Sequence, residues 1–391
     1  MYRSGIWLIL LLAAGCFSCQ NEPGLYEEVV ELDRVRVLRD AEENYLLPIK
    51  TITSAQCERS EGGLHDFYSE GDYWWPDPEN PEGPYIRKDG LTNPDNFTAH
   101  RIFMRDLSLI VPNLVAAYII GGEEKYAERA IEHLVAWFVN PETRMNPNML
   151  YSQAIFGRVS GRGIGIIDAI HLVEVVKAAK VLEDKGLLKE QDLTEIKRWF
   201  AQFNEWITTH PYGIDERDNG NNHSTCWAMQ VAMYASFTGN DSLLSETRRF
   251  FENTLIPEQL APDGSFPKEL ARTKPYGYSL FNLDATYTLT HILAGNQHED
   301  VWRFSYQDSL VLSKAIEFMF PYIRDKSSWP YPDDVMYFED WPMRHISLLF
   351  AYQAYGDNKY LELWKTLPAA SDEQEVIRNF FIRQPVLWVE K

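Results

Sequence analysis

The hydrophobic period of an amphipathic helix recurs along almost the entire chain, and this limits the fold more than any other feature of the sequence. From residue 25 to 46, apolar side chains return every three or four positions, as they do on one face of an α-helix. Strand-like alternation of apolar and polar residues is scarce. The sequence therefore predicts an all-α protein, with helices over 25–46, 103–119, 124–138, 164–183, 191–208, 224–237, 280–294, 301–320 and 345–355.

Similar glycine-containing turns separate these helices. In Gly239-Asn240-Asp241 and Gly356-Asp357-Asn358, a glycine ends one apolar run and an Asn or Asp caps the next. Successive turn glycines, at 122, 186, 239, 295 and 356, are 53 to 64 residues apart, which is the length of one helical hairpin with a long loop. The period predicts about six or seven hairpins over residues 20–391, closed into a single-domain α/α toroid. An open superhelix is the alternative.

The charge balance and the aromatic content restrict the function. With 37 basic and 57 acidic residues, the formal net charge is −20. This excess of acid disfavours binding to DNA or RNA, because their phosphates need a basic surface. The chain also carries 12 Trp, 21 Tyr and 20 Phe, more than the core needs. Flat aromatic rings commonly serve as stacking platforms in carbohydrate clefts.

The first 19 residues have the pattern of a bacterial export signal. Arg3 supplies a basic start, and residues 6–14 form an apolar run that is too short to span a membrane. Cys19 is predicted to carry a lipid anchor, with Cys16 as a second candidate and plain cleavage to a free periplasmic protein as a third. The expected location is the periplasm or the outer membrane of a Gram-negative bacterium. The only membrane contact expected is through this anchor.

The most specific motif is Asn219-Gly220-Asn221-Asn222-His223-Ser224, at the start of a predicted helix. There the side chains of Asn221, Asn222 and His223 join free backbone N–H groups at the positive end of the helix dipole. Such an arrangement can hold a carboxylate. The simpler alternative makes Asn222 an ordinary helix cap and His223 a half-buried polar residue.

A basic loop that contains tyrosines lies before the helix predicted at 280–294. Within an acidic chain, this local positive charge can still favour an anion, because nearby groups set the field inside a cleft. Arg272 can clamp a carboxylate with two N–H groups. The alternatives are an ion pair of Arg272 with Glu269 and simple packing of the tyrosines. The candidate site residues here are Arg272, Lys274, Tyr276 and Tyr278.

Two more loops supply candidate substrate contacts. In the proline-stiffened loop over 60–98, three adjacent aromatic residues either stack on sugar rings or pack on the toroid as a lid. The glycine-rich loop over 151–163 resembles a phosphate loop, but it lacks the required Lys-Ser/Thr pair and a preceding strand. Its arginines are instead expected to line an anionic cleft. The candidates in the two loops are Tyr73, Trp74, Trp75, Gln153, Arg158 and Arg162.

An acidic stretch over 333–340 contains four carboxylates and precedes Arg344 and His345, which are further candidate substrate contacts. Paired carboxylates are typical of glycosidases, whereas a solvated acidic loop is the commoner meaning. No cluster of Cys and His has the spacing of a metal site, so neither a metal nor a cofactor is expected. Beyond the leader, Cys57 and Cys226 either form one disulfide or remain separate thiols.

Several of these segments, in this order over residues 60–350, resemble the alginate lyase superfamily. This superfamily comprises α/α-toroid polysaccharide lyases of the family 5 type, and the resemblance is closest to the Bacteroides-type members of polysaccharide lyase family 38. The segments are Trp74-Trp75-Pro76, Asn93-Pro94-Asp95-Asn96, Gly161-Arg162-Gly163, Asn221-Asn222-His223 and Arg272 through Asn282. The resemblance implies a lyase that cleaves a uronic-acid polymer by β-elimination, with mannuronate-rich alginate as the first expected substrate and glucuronan as the second.

The resemblance also implies roles for individual residues. Asn222, His223 and Arg272 are expected to neutralise the uronate carboxylate so that the C5 proton becomes acidic enough to remove. Tyr278 is expected to take this proton and then to protonate the departing O4, in a syn elimination. In an anti elimination, His223 takes the proton and Tyr278 acts only as the acid. Tyr278 is preferred to Tyr276 because it opens a helix whose other face is apolar.

Two other functions fit parts of the sequence. A glycoside hydrolase on the same toroid would use carboxylates such as Asp340 and would release a saturated product. A non-catalytic glycan-binding lipoprotein would use the same aromatic residues, but it would leave Asn222, His223 and Arg272 without a shared purpose. The fold alone does not separate these functions.

Overall fold

The computed structural model describes residues 24–295, 299–307 and 310–390. The predicted export signal and lipid-anchored cysteine, within residues 1–19, lie outside the described residues and remain predictions. Helices dominate the described chain, as the sequence predicts, and the strands are short and lie in loops.

The secondary structure divides into helices and a few two-stranded pairings. The α-helices are α1 (Leu25–Leu46), α2 (Ala99–Gly121), α3 (Glu124–Phe138), α4 (Leu172–Asp184), α5 (Glu190–Thr209), α6 (Pro211–Arg217), α7 (Asn222–Thr238), α8 (Asp241–Phe250), α9 (Ile256–Gln259), α10 (Pro267–Leu270), α11 (Pro275–Ala294), α12 (Ser313–Arg324), α13 (Ile346–Tyr355), α14 (Asn358–Thr366) and α15 (Gln374–Asn379). The strands are β1 (Tyr68–Glu70), β2 (Trp74–Trp75), β3 (Ile86–Arg87), β4 (Tyr151–Ala154), β5 (Ser305–Tyr306) and β6 (Leu310–Val311). β1 pairs in parallel with β4, whereas β2 with β3 and β5 with β6 are antiparallel.

Five inner helices form the wall of an α/α toroid, and each is followed by an outer helix. The inner helices pack side by side in chain order, α2 on α4, α4 on α7, α7 on α11 and α11 on α13. The described residues thus form five hairpins with α1 as an additional helix, fewer than the six or seven predicted. The number is lower because residues 47–98 form loops and short strands instead of helices, and the segment after α14 contains only the short α15.

The apolar pattern of each helix decides whether it is inner or outer. Every residue of α7 over 224–235 is buried, because the helix is apolar or small on all faces. The outer α5 instead buries one stripe, which includes Ile196, Phe200 and Phe203. By length and composition α2 could cross a membrane, but 61% of its apolar window is buried inside the toroid.

The predicted turns are confirmed at the ends of the inner helices. Gly122 and Gly239 end α2 and α7 with φ values of 79° and 74°, in the left-handed region that favours glycine. After the second of these turns, the side chain of Asn240 accepts a hydrogen bond of 3.1 Å from the backbone of Leu243 and caps α8. The glycine therefore ends the inner helix and the following residue starts the outer one.

Ion pairs join α1 to the last hairpin of the toroid. Arg344, just before α13, pairs with the buried Asp33 of α1 at 2.9 Å and donates to the carbonyl of Leu367 at 2.9 Å. Lys365 of α14 pairs with Glu28 of α1. The prediction of Arg344 as a substrate contact is therefore corrected, since its guanidinium is used to hold two helices together.

The C-terminal segment packs against the inner helix α4. The carboxylate of Glu174 accepts hydrogen bonds from the backbone N–H groups of Arg383 at 2.9 Å and Gln384 at 2.7 Å. Burial raises the pKa of Glu174 to about 7, although the Arg383 guanidinium and these hydrogen bonds oppose the shift.

The helix predicted over 301–320 is only partly correct. This region contains a short 3-10 turn at Glu299–Arg303, the β5–β6 hairpin and then α12. The backbone of Leu312 bonds to the carbonyl of Phe304 at 3.3 Å and extends the hairpin pairing. Short apolar runs fit either a strand or a helix, which is why periodicity failed here.

Candidate active site

A cleft of about 380 Å³ opens where two inner helices begin. Since α7 starts at Asn222 and α11 at Pro275, their N-terminal ends and unpaired N–H groups give this end of the toroid a partial positive charge. An anionic ligand is therefore favoured at this position. The predicted site residues that line the cleft are Tyr73, Trp74, Gln153, Arg162, Asn221, Asn222, His223, Arg272 and Tyr278.

The hydroxyl group of Tyr278 belongs to a small polar cluster. It lies 3.0 Å from the hydroxyl of Tyr73, and Nη2 of Arg272 donates to it at 3.5 Å. The guanidinium carbon also lies 4.6 Å from the centre of the Tyr278 ring. Burial raises the pKa of Tyr278, whereas the charge of Arg272 and the hydrogen bond with Tyr73 oppose this rise. The free site therefore holds a protonated phenol beside two groups that stabilise its anion.

A buried carboxylate orients His223. Nδ1 of His223 lies 2.8 Å from Oε1 of Glu216, a residue of α6 that is 0% exposed. Burial raises the pKa of Glu216, and the neighbouring His223 opposes this effect. A carboxylate only accepts hydrogen bonds, so the hydrogen is assigned to Nδ1 and Nε2 is left for a ligand in the cleft.

A second buried carboxylate fixes Asn222. Its backbone N–H and its Nδ2 each donate a 2.7 Å hydrogen bond to Glu269 of α10. The helix cap is Asn221, whose side chain accepts from the backbone of His223 at 3.0 Å. Asn222 is therefore more than an ordinary cap, and one amide hydrogen and its Oδ1 remain for the cleft. Among the described residues, Arg272 and Glu269 do not form the ion pair considered as an alternative.

One side of the cleft combines an aromatic ring with two arginines. The guanidinium carbons of Arg158 and Arg162 lie 5.3 Å and 6.0 Å from the ring centre of Trp74. Arg162 also donates to the backbone and side-chain oxygens of Gln153, at 2.9 Å and 3.1 Å. Burial lowers the pKa of Arg162 to about 10, so it remains a cation at neutral pH. Arg158 does not line the cleft itself, and its Nε donates a hydrogen bond to the carbonyl of Tyr85.

Two predicted contacts are core residues. Tyr276 is 0% exposed and donates from its hydroxyl to the carbonyl of Tyr322 at 3.0 Å. His345 is 1% exposed, and its Nδ1 lies 2.7 Å from the buried carboxylate of Asp284. Both predictions as substrate contacts are corrected, because these polar groups are already used inside the fold. Two residues along a helix rotate the side chain by about 200°, so Tyr276 points into the core where Tyr278 points into the cleft.

Two other candidates lie next to the cleft without lining it. Trp75 donates from its indole N–H to the carbonyl of Leu91 at 2.9 Å, and the ammonium group of Lys88 lies 4.7 Å from its ring centre. Lys274 is buried and pairs with Glu375 at 3.1 Å. Both side chains support the loops around the cleft.

The acidic stretch over 333–340 is structural. Asp334 accepts two 2.8 Å hydrogen bonds from backbone N–H groups at the start of α11, and burial raises its pKa to about 6. Asp340 is exposed and outside the cleft. Within the described residues, the carboxylate that lines the cleft is Asp72, and it is paired with arginines. The free carboxylate pair that a glycoside hydrolase needs is therefore not found in this cleft.

Sequence reasoning missed the residues that α15 contributes. Arg378 and Asn379 line the cleft, and Arg378 pairs with Asp72 at 2.7 Å. A six-residue helix gives no periodic signal, and its distance in sequence from the other site residues hides the contact. The supporting carboxylates Glu216 and Glu269 were also missed as partners, although Glu216 lies only seven residues before His223. Cys57 and Cys226 are free thiols, which rules out the disulfide.

Comparison with known proteins agrees with the fold. The family model of alginate lyases matches residues 51–329. The crystal structure of an alginate lyase from Bacteroides ovatus is similar with a TM-score of 0.81 and 30% identity, over 94% of this chain and 97% of that chain. Comparison with curated proteins finds no match.

Two further structures share the fold at lower identity. Alginate lyase A1-III from Sphingomonas species A1 is 16% identical with a TM-score of 0.59, over 93% of this chain and 95% of that chain. A variant of A1-III complexed with a tetrasaccharide is 14% identical with a TM-score of 0.58, over 93% of this chain and 94% of that chain. The match of the family model over most of the chain, together with the Bacteroides ovatus structure, shows that this chain belongs to the alginate lyase family and is a polysaccharide lyase.

Proposed function

We propose that this polysaccharide lyase cleaves a uronic-acid polymer, most favourably mannuronate-rich alginate, by β-elimination. The observation that carries the proposal is the position of the Tyr278 hydroxyl. It lies within hydrogen-bonding distance of Tyr73 and Arg272, in the same cleft as Asn222 and His223. A group that exchanges protons is thus next to groups that bind a carboxylate.

The first requirement of the reaction is neutralisation of the carboxylate at C6 of the uronate. The C5 proton is weakly acidic as long as this neighbouring group keeps its full negative charge. Asn222 offers an amide hydrogen, Arg272 a fixed cation, and the N-terminal end of α7 a partial positive charge. These donors stabilise the enolate-like intermediate more than the ground state, which is the condition for catalysis.

The second requirement is a proton carrier. When the C5–H bond breaks, its electron pair forms the C4=C5 double bond, the C4–O4 bond breaks, and O4 leaves with a proton. In a syn elimination, the phenolate of Tyr278 takes the C5 proton and then donates it to O4. Tyr73 and Arg272 stabilise the phenolate against the opposing effect of burial. The product carries a 4,5-unsaturated uronate at its non-reducing end.

The pair of Glu216 and His223 supports an anti elimination on guluronate, the epimer of mannuronate. With hydrogen on Nδ1, the lone pair of Nε2 is left to take the C5 proton of a sugar bound in the cleft. Tyr278, which holds its proton in the free site, then protonates O4. One cleft therefore contains the groups for either stereochemistry, and the polymer decides which of them is used.

We also propose a periplasmic or outer-membrane-anchored location in a Gram-negative bacterium. The support is the sequence pattern of residues 1–19, which predicts export and a lipid anchor on Cys19. A polymer too large to diffuse through a membrane would be met in such a compartment.

The proposed function is tested by incubating the purified chain with polymannuronate, polyguluronate and glucuronan. Formation of an unsaturated uronate is followed by ultraviolet absorbance, and the products are analysed by mass spectrometry. The proposal predicts an absorbance rise that is fastest with polymannuronate. A faster rise with glucuronan would reassign the substrate. Saturated products, or no turnover of any of the three polymers, would contradict the proposal.

A further inference from the structure

A second chamber of about 290 Å³ adjoins the cleft. Five residues face both spaces: Asp72, Ile167, Phe281, Arg378 and Asn379. The chamber also lies at the N-terminal ends of inner helices, because Thr98 precedes α2 and His171 precedes α4. A polymer lying along this end of the toroid would therefore pass from the cleft to the chamber.

The chamber contains an arginine without a partner. Arg105 of α2 is half-buried, and its guanidinium forms no hydrogen bond and no ion pair with any residue that the structure describes. Burial lowers the pKa of Arg105, and the carboxylates of Asp106 and Glu375 oppose this effect without forming an ion pair with it. The other arginines are already neutralised, Arg101 by Asp72 and Asp168, and Arg378 by Asp72.

A histidine beside Arg105 is also unsatisfied. His171 is 5% exposed, and its Nδ1 has no hydrogen-bond partner among the described residues. Burial holds the pKa of this ring well below its usual value, and the positive charges of Arg383, Arg105 and Arg378 add to the effect. A neutral imidazole surrounded by cations can donate or accept a hydrogen bond without adding charge.

The remaining walls suit a sugar ring. Ile102, Ile167, Ile170 and Phe281 supply apolar surface, and Thr92 and Thr98 supply hydroxyl groups. The one carboxylate on the chamber wall that lacks an arginine or lysine partner is Glu373, which instead accepts the backbone N–H of Glu375. Among the described residues, Arg105 is therefore the one arginine on the chamber wall without a carboxylate partner, and leaving this cation half-buried costs free energy that a bound anion would recover.

We infer that this chamber is a second uronate subsite, in which Arg105 binds the carboxylate of another sugar residue of the polymer that is cleaved beside Tyr278. The inference rests on the proposed function for the identity of the polymer. Arg105 can form two parallel hydrogen bonds with a carboxylate. Arg105 thus favours substrates that are long enough to reach the chamber, whereas the bond is cleaved in the adjoining cleft.

The test compares oligouronates of increasing length, prepared from the polymer that the unaltered protein cleaves. We expect kcat/KM to rise at the length that reaches the chamber. Arg105→Gln should lose about tenfold on those oligomers, mainly through a higher KM, and should match the unaltered protein on shorter ones. Arg198→Gln, which removes an exposed arginine from α5, is the matched control. It should leave kcat/KM unchanged on both the long and the short oligomers. The same dependence on length in Arg105→Gln and the unaltered protein would overturn the inference.

A charge change at Gln374, an exposed residue on the chamber wall, tests the subsite without altering a buried side chain. Gln374→Glu should raise KM for long oligomers and Gln374→Lys should lower it, by severalfold in opposite directions, and added salt should reduce both effects. Equal KM values for the two variants would contradict the subsite. If the unaltered protein cleaves no uronate polymer, the proposed function fails separately. Calorimetric binding of long oligomannuronates to the unaltered protein and to Arg105→Gln then decides the chamber's role, with equal affinities overturning it.

Discussion

The hydroxyl of Tyr278 lies 3.0 Å from the hydroxyl of Tyr73, so two phenols from distant parts of the chain share one hydrogen bond. Tyr73 comes from the loop before α2 and Tyr278 from the first turn of α11. The hydrogen bond lowers the pKa of Tyr278 against the larger, opposite effect of burial. The loop over 60–98 therefore contributes to the chemistry of the site as well as to its shape.

We predict that Tyr73→Phe lowers kcat by about 10- to 100-fold at neutral pH, because a hydrogen bond to a charged group is lost. Without this bond the pKa of Tyr278 rises further. Any part of the rate profile that requires the phenolate should then move to higher pH. The profile of kcat against pH measures this shift. An unchanged profile with a lower rate would mean that the Tyr73 hydroxyl does not act through the pKa of Tyr278.

Glu216 is predicted to position His223. Glu216→Ala removes the partner of Nδ1, so the ring is free to turn and kcat should fall by about 10- to 100-fold. Glu216→Gln keeps an acceptor oxygen for Nδ1 and should retain more activity than Glu216→Ala. Steady-state kinetics and thermal unfolding of both variants test this order. Equal losses of activity in the two variants would argue against a positioning role.

The two adjacent tryptophans of β2 offer a matched comparison. Trp74 lines the cleft, whereas the indole of Trp75 is bonded to the carbonyl of Leu91. We predict that Trp74→Ala raises KM by about tenfold through loss of a stacking surface, with a smaller change in kcat. Trp75→Ala should leave KM within about twofold of the unaltered protein. A larger effect of Trp75→Ala on KM would reverse the assignment.

Glu174 makes the stability of the toroid depend on pH. Its folded-state pKa is about 7 and its ordinary value is 4.5, so the folded state binds the proton more tightly. The contribution of this residue to stability is complete below pH 4.5 and is lost as pH rises through 7. The difference between the two pKa values corresponds to about 3 kcal/mol in the free energy of unfolding.

The prediction for Glu174 is checked with Glu174→Gln, whose side-chain oxygen can still accept from Arg383 and Gln384. The unfolding temperature of the unaltered protein should fall relative to that of Glu174→Gln between pH 4.5 and 8. Parallel unfolding curves over this range would show that Glu174 titrates normally in the fold.

The sequence predicted the helical toroid because its signals are local. Apolar periodicity locates the inner helices, and turn glycines such as Gly239 mark where each of them ends. The motif at Asn222 and His223 and the tyrosine at Tyr278 are also local, since each lies at the start of an inner helix. All three line the cleft because the toroid brings these helix starts to the same end.

What the sequence did not predict depends on contacts between distant segments. Arg378 reaches the cleft from a six-residue helix after the last hairpin, beyond the residues that the family model matches. Tyr276 and Arg344 were predicted in the site because their residue types fit its chemistry. Their hydrogen bonds, to Tyr322 and to Asp33, form only in the packed fold. A residue of a suitable type near a site motif is thus wrongly predicted as a substrate contact when its side chain is already bonded to a buried partner.

The central claim, that the Tyr278 phenol carries the proton in β-elimination, is tested most directly by comparing Tyr278→Phe with Tyr276→Phe. Both variants remove one hydroxyl from α11, but only the Tyr278 hydroxyl faces the cleft. Turnover of polymannuronate is followed by the absorbance of the unsaturated product, and binding of an oligomannuronate by calorimetry. We predict that Tyr278→Phe loses at least about 100-fold in kcat and still binds the oligomer, whereas Tyr276→Phe keeps its activity and loses about 1 kcal/mol of stability. Near-normal turnover by Tyr278→Phe would contradict the account.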